Sequence, residues 1–358
     1  MPPKAYAQAG VDIALADRLL AKVKPALKAA SRPESLGAIG GFGGLFDISG
    51  LSKRFAHPVL VSSTDSVGTK VKVASLAKEY RHLGADIVNH CANDVAVCGA
   101  EPLYFLDYYA TSKLEEKAYV DLLKGLATAC QAGHIALVGG ETAELPGVYA
   151  ENEFDLVGTI VGVVDKAKLL TGEPVRPGDV LIGLQSSGLH TNGFSLARKI
   201  FFERLGLAPD APLPGGRGTV AKALLQPHVN YAPFLGAALG ELNRAKNASQ
   251  RRQNALFAAA HITGGGFPGN LSRVLHDGVD AVVQTGAWRP LPVFRALREH
   301  GGVPFEERYE VFNMGVGLVL VVAPEAVEAT LTLAAQHGHK AWTIGELIPG
   351  SGQVALSA

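Results

Sequence analysis

Cysteine is scarce in this chain: Cys91, Cys98 and Cys130 are the only three in 358 residues. An odd count this low cannot build a disulfide framework, and it points to a reducing compartment. The opening MPPKAYAQAG has no apolar segment of the kind a secretory leader carries. The longest apolar run, GLVLVVA at residues 317–323, is far too short to span a bilayer. These features predict a cytoplasmic protein with no membrane partner. Charge is also sparse. Asp, Glu, Lys and Arg make up 18% of the chain, and 33 basic residues balance 33 acidic ones. A neutral chain without a Lys/Arg block is unsuited to non-specific nucleic-acid binding. The one basic, polar segment, NRAKNASQRRQN at residues 243–254, reads as an exposed loop or helix end.

The familiar nucleotide and catalytic signatures are missing too. The dipeptide Gly-Lys never occurs, which excludes a GxxxxGK[ST] phosphate loop. GGFGG at residues 40–44 is not the dinucleotide fingerprint. There is no GxSxG elbow, CxxC pair or HxxxH pair. His90 near Cys91 and Cys98 reads as a core histidine beside core cysteines rather than as a zinc site.

Glycine, in contrast, is abundant, at 42 residues, well above the usual ~7%. It gathers at GAIGGFGG, VGGET, TGGGFPG and GVGL, between apolar runs, where tight turns and close backbone approach are expected. HPVLVSS, IALVGG and FDLVGTIVGVVD read as strands, and AYVDLLKGLATACQAG as a helix stopped by its glycine. The alternation predicts an α/β (α+β) fold. Turn residues concentrate in LTGEPVRPGD, and a new strand, VLIGLQSSG, follows. This places a domain boundary there, giving an N-terminal domain over residues 1–170 and a C-terminal domain over residues 171–358.

Acidic residues are unevenly placed. No Lys or Arg occurs between residues 125 and 165, which hold Glu141, Glu144, Glu151, Glu153, Asp155 and Asp165, nor between 82 and 112, which hold Asp86, Asp94, Glu101 and Asp107. In DIVNHCANDVAVCGAEP, an apolar stripe at helical spacing leaves Asn89, Asn93, His90 and Asp94 on the other face. That face holds no lysine, so it is not an ordinary solvated surface. A carboxylate among small apolar residues needs a partner, either a basic group from elsewhere or a divalent cation. Asp65, in SSTDSVGTK, and Glu141, in LVGGETAE, each follow a predicted buried strand. Taken singly, a cap or turn explains either one. Together the three acids suit oxygen ligation of Mg²⁺ against phosphate. SSGLHTNGFS, residues 186–195, is either a polar turn or a loop that binds phosphate or positions a histidine.

These segments resemble the phosphoribosylformylglycinamidine cyclo-ligase (aminoimidazole ribonucleotide synthetase) family nearly end to end. The resemblance runs through YAQAGVDI, IGGFGGLFD, TDSVGTK, CANDVAVCGAEPLYFLDYYATSKL, LVGGETAELPGVY, SSGLHTNGFSLARKI, AHITGGGFPGNLSRVL and FNMGVG. It implies two α/β domains, a homodimer joined through its N-terminal sheets, and ATP and Mg²⁺ as cofactors. The implied substrate is formylglycinamidine ribonucleotide, closed to aminoimidazole ribonucleotide through an iminophosphate in purine biosynthesis. Asp65, Asp94 and Glu141 are then the expected metal ligands. Gly40, Gly41, Gly43, Gly44, Thr69, Asn93 and Thr142 are expected at the nucleotide, and Lys70 at phosphate. His190 is the expected acid/base or hydrogen-bond donor. Ser187, Gly188, Thr191, Asn192, Gly264, Gly265 and Gly266 are expected at substrate. The chain departs from the usual family pattern at Ser66 (commonly Gly), Leu189 (Pro), Thr191 (Ser), Gln226 and His228 (Thr or Ala, and Thr), Gly269 (Glu) and His276 (Pro). The alternatives are another ATP-dependent kinase or synthetase of the same superfamily, or a dimer that only binds nucleotide. The second-half motifs speak against the first and the retained acids against the second. A selenophosphate synthetase would carry an early Cys, and none precedes Cys91.

Overall fold

The computed structural model describes residues 6, 10–37, 40–243 and 254–358; most of the basic segment at 243–254 lies outside them. The first half holds α1 (Ile13–Ala29), β1 (Pro58–Ser66), α2 (Lys70–Ala77), α3 (Arg81–Ala96), β2 (Glu101–Thr111), α4 (Glu116–Ala132), β3 (Ala136–Glu144) and β4 (Phe154–Asp165). Its four-stranded sheet has the order β1-β4-β2-β3, antiparallel except for the β2–β3 pair that α4 connects. A helix of this length is what a parallel crossover requires. The first half also has a two-stranded ribbon, Ser35–Leu36 with Leu45–Phe46.

Helices cover one face of the sheet. Phe105, Leu156 and Ile160 point into it from the strands, and Ile87, Cys91 and Val95 of α3 meet them, all fully buried. Helices α3 and α4 cross closely because glycines meet there. A Cβ on Gly84 would stand 2.1 Å from Leu122 O, and one on Gly125 would stand 1.9 Å from Arg81 O.

The second half builds a six-stranded sheet from β5 (Val180–Gln185), β6 (Leu256–His261), β7 (Val279–Gln284), β8 (Val316–Val322), β9 (Ala341–Pro349) and β10 (Val354–Ser357), in the order β10-β7-β9-β5-β8-β6. Every residue of β6 and β8 is buried, as their unbroken apolar sequences require. Helices α5 (Ala232–Leu242) and α6 (Val327–Gln336) pack against each other, with α6 also against this sheet. The first sheet ends at Asp165 and the second begins at Val180. The expected mixed α/β, two-part architecture is the observed one. No helix among the described residues is long and apolar enough to cross a membrane.

Candidate active site at the seam between the two halves

The polar face of α3 is buried against the second half of the chain, which explains why it carries no lysine. Asn89 Nδ2 donates to His228 O at 2.7 Å. Asn93 donates to Val229 O at 2.8 Å and accepts from Tyr231 N at 2.7 Å. His90 Nδ1 stands 2.7 Å from Thr191 Oγ1. Asp94 Oδ1 takes His261 Nδ1 at 2.8 Å, and its Oδ2 takes Ser63 Oγ at 3.0 Å. The partner that Asp94 needs is therefore a histidine at the end of β6, 167 residues away.

Asp65 joins the same group. Its Oδ2 lies 2.9 Å from His90 Nε2, and Asp94 Oδ2 lies 3.6 Å from the same nitrogen. Burial opposes ionisation of both acids. For Asp65 the hydrogen bonds from His90 and Ser66 N–H and the nearby imidazole charge together outweigh it, and for Asp94 the hydrogen bonds from His261 and Ser63 with the charges of His261 and His90 do, so both carboxyls are held below the usual range. Both remain partly open to solvent, at 44% and 26% of their side chains. Two ionised, accessible carboxylates beside a hydroxyl are a donor set that fits Mg²⁺.

Thr69 Oγ1 stands 3.0 Å from Ser195 Oγ across the seam. A Cβ on Gly68 would lie 3.8 Å from Thr191 O, and one on Gly264 would lie 3.3 Å from Asn192 Nδ2. Residues 63–69, 190–195 and 261–265 thus converge, bringing together Asp65, Thr69, Asp94, Thr191, Asn192, Gly264 and Gly265. Gly266 serves packing, since its absent Cβ would fall 1.7 Å from Tyr309 O. Ser187 and Gly188 form the turn behind His190. Ser187 hydroxyl donates to Pro227 O, and Gly188 O accepts from Asn313 Nδ2 at 2.9 Å. A cavity of about 490 Å³ borders Ser187 together with Arg217, Gln226 and Arg295, away from the acids.

Four expectations need correction. Glu141 does not complete a cluster with Asp65 and Asp94. It lies inside β3, paired with Tyr108, whereas Asp65 aligns with Gly158 and Asp107 across the sheet. Strand alternation turns Glu141 to the opposite face. Three strand spacings, roughly 14 Å, also separate β3 from β1. Gly44 sits beside the same strand, 2.6 Å in Cβ terms from Val138 Cγ2. Gly44 therefore lies beside the strand that carries Glu141 and Thr142, away from the acids, and Gly40, Gly41, Gly43, Gly44 and Glu141 are exposed.

Lys70 does not present its ammonium to a phosphate. It is fully buried, 2.7 Å from Asp86 Oδ2, and donates to His190 O and Gln226 O at 2.9 Å each. Asn93 is fully buried with both ends of its amide engaged, so it is unavailable to nucleotide. His190 is 1% exposed. Burial first, then the neighbouring His261 and Lys70, hold its imidazolium form well out of reach, so it is a neutral ring. Its backbone is left-handed at φ 61°, a conformation that β-carbon residues adopt at a cost, and Lys70 grips its carbonyl.

Sequence reasoning missed His261, His228 and Ser63. They carried no signal as metal or acid partners because their neighbours come from distant segments.

The two halves match the family models "AIR synthase related protein, N-terminal domain" over residues 54–164 and "AIR synthase related protein, C-terminal domain" over residues 176–356. Solved structures with the same fold include thiamine-monophosphate kinase from Stenotrophomonas maltophilia K279a, 18% identical with TM-score 0.61, covering 94% of this chain and 95% of that one. They also include hydrogenase maturation protein HypE in complex with ATP, 18% identical with TM-score 0.64, covering 95% and 90%. At that identity they establish the fold alone, and the fold is that of the AIR synthase-related proteins. The phosphoribosylformylglycinamidine cyclo-ligase of Geobacillus thermodenitrificans (strain NG80-2) is 45% identical over 98% of this chain and 97% of its own. That of Anaeromyxobacter dehalogenans (strain 2CP-C) is 48% identical over 96% of each. The chain belongs to the phosphoribosylformylglycinamidine cyclo-ligase family.

Proposed function

We infer that this chain is a phosphoribosylformylglycinamidine cyclo-ligase, closing formylglycinamidine ribonucleotide to aminoimidazole ribonucleotide with ATP. The observation that carries this reading is 45–48% identity, over nearly the full length, to relatives of that name. An amide-type oxygen is a poor leaving group. Transfer of the γ-phosphoryl group onto it gives an iminophosphate and ADP. A neighbouring substrate nitrogen then attacks the same carbon, the C–O bond breaks, and phosphate leaves with that oxygen. The protein's part is orientation and charge neutralisation.

Asp65 and Asp94 would hold Mg²⁺, which when bound supplies positive charge against the triphosphate. His90 and His261 fix the two carboxylates in place. Gly40, Gly41, Gly43, Gly44, Glu141 and Thr142 would offer exposed backbone donors and a carboxylate to the nucleotide, and, because Glu141 lies on the sheet face away from Asp65 and Asp94, they would meet the same triphosphate from a second copy of the chain. Thr69, Thr191, Asn192, Gly264 and Gly265 orient the substrate from across the seam. His190, buried and neutral, positions the 187–192 turn instead of carrying a proton. The three free cysteines, two of them buried, suit a cytoplasmic enzyme.

A coupled assay tests the reading. ADP release should require formylglycinamidine ribonucleotide. Release without it, or none with it, would overturn the assignment.

The homodimer belongs to the same proposal. The described residues leave the face of the first sheet opposite α3 and α4 uncovered along much of its width. Leu60 there is 58% exposed, and Val157, Val161, Leu106 and Tyr108 are only half-buried. A second copy joined through this face would also bury Glu141. Leu60→Glu is expected to weaken self-association at least ~10-fold, equivalent to about 1.4 kcal/mol. Sedimentation equilibrium checks this, and an unchanged dimer would exclude the face.

A further inference from the structure

One side chain at the seam meets both acids and the substrate loop. His90 Nε2 lies 2.9 Å from Asp65 Oδ2 and 3.6 Å from Asp94 Oδ2, while His90 Nδ1 lies 2.7 Å from Thr191 Oγ1. The ring is 2% exposed, and the rings of His228 and His261 stand against it with centroids 5.3 and 5.1 Å away. Packed this closely, it has no room to swing between partners. A hydroxyl both donates and accepts, so the Thr191 contact holds in either charge state of the imidazole.

Two other side chains of the first half tie down the same loop. Lys70 donates to His190 O, and Thr69 Oγ1 meets Ser195 Oγ. Among the described residues neither is hydrogen-bonded to Asp65 or Asp94, and Lys70 is paired with Asp86 instead. His90 is thus the contact that joins the acids to the loop. Beyond it, Thr191 is 5% exposed, and its Oγ1 stands 3.5 Å from Oδ1 of Asn192, which is half-buried. The order of contact is carboxylates, imidazole, hydroxyl, amide.

An imidazole is planar and rigid, so what constrains one nitrogen constrains the other. Asp65 and Asp94, once they hold a cation, fix the oxygens on which Nε2 bears. That in turn fixes the ring, the Thr191 hydroxyl and Asn192 beside it. Part of the ordering that substrate binding requires is then already complete. Linkage makes the effect reciprocal.

We propose that His90 is a positioning residue that couples the Asp65–Asp94 pair to the substrate loop through Thr191, so that Mg²⁺–nucleotide and substrate each tighten the binding of the other. This inference rests on the proposed cyclo-ligase function.

Titration calorimetry tests it without turnover. The full chain is titrated with formylglycinamidine ribonucleotide, alone and with saturating Mg²⁺ and a non-hydrolysable ATP analogue. The parent should bind substrate at least ~5-fold more tightly in the second case. Thr191→Ser retains the hydroxyl and should retain that ratio. Thr191→Val removes the hydroxyl and leaves both acids in place, and its ratio should fall below about 2-fold. His90→Gln keeps a donor for Asp65 and gives up Thr191. It should lose the ratio likewise, and it gives a second reading should Thr191→Val fail to fold. If Thr191→Val or His90→Gln weakens substrate equally with and without Mg²⁺–nucleotide, the contact is structural only and the coupling role is overturned. A parent that binds both ligands independently overturns it too, and leaves the proposed function standing. A parent that does not bind formylglycinamidine ribonucleotide under either condition overturns the proposed function, and this inference with it.

Discussion

Asp94→Asn is expected to fold as the parent does and to release ADP at least ~100-fold more slowly with saturating substrate and Mg²⁺. The substitution keeps the shape and an acceptor oxygen for His261 Nδ1, while its new amide NH2 faces Ser63 Oγ, whose hydroxyl can turn to accept. It removes the charge and exchanges one acceptor for a donor. The seam contacts through Asn89, Asn93 and Lys70 are untouched, so the melting temperature should shift by no more than a few degrees. The loss should fall on turnover and on the Mg²⁺ concentration required. Near-parental turnover would remove Asp94 from the metal-binding pair and leave it a seam contact.

Lys70→Met carries the largest expected effect on stability. The Lys70–Asp86 pair is fully buried, and Asp86 Oδ1 also accepts the His228 backbone N–H at 2.7 Å. Removing the lysine strands a carboxylate where water cannot reach it. Breaking such a pair from one side costs about 3–5 kcal/mol. The same ammonium holds the carbonyls of His190 and Gln226, so the 187–192 turn should loosen as well. Denaturant unfolding of Lys70→Met should show this loss, and the double substitution Lys70→Met with Asp86→Leu should recover a large part of it. A lysine that served phosphate would behave oppositely, weakening ATP binding with stability intact. That result would reverse the assignment of Lys70 to the seam.

Lys70 also shows where a sequence stops being informative. In SSTDSVGTK the lysine sits five residues after a site aspartate, a spacing that invites a phosphate contact. Its depth depends on Asp86, His190 and Gln226, which reach it from three other segments. Asn93 is similar: its helical face is legible from the 3.6-residue period, but whether that face meets ligand or protein depends on what the second half of the chain places against it. Glu141 differs from Asp65 by strand parity. Both end apolar runs, and only the register of β1-β4-β2-β3 turns one toward α3 and the other away.

The sequence by itself determined the family, the alternation of strands and helices, and the identity of Asp65 and Asp94 as acids lacking local counter-charge. These are properties of local period, composition and order along the chain. Tertiary structure alone decided which residues partner those acids. Hydrogen bonds and ion pairs act over about 3 Å, whereas His261 lies 167 positions from Asp94 and His228 lies 142 from Asp86. Only the packing of the two halves against each other brings such groups within reach.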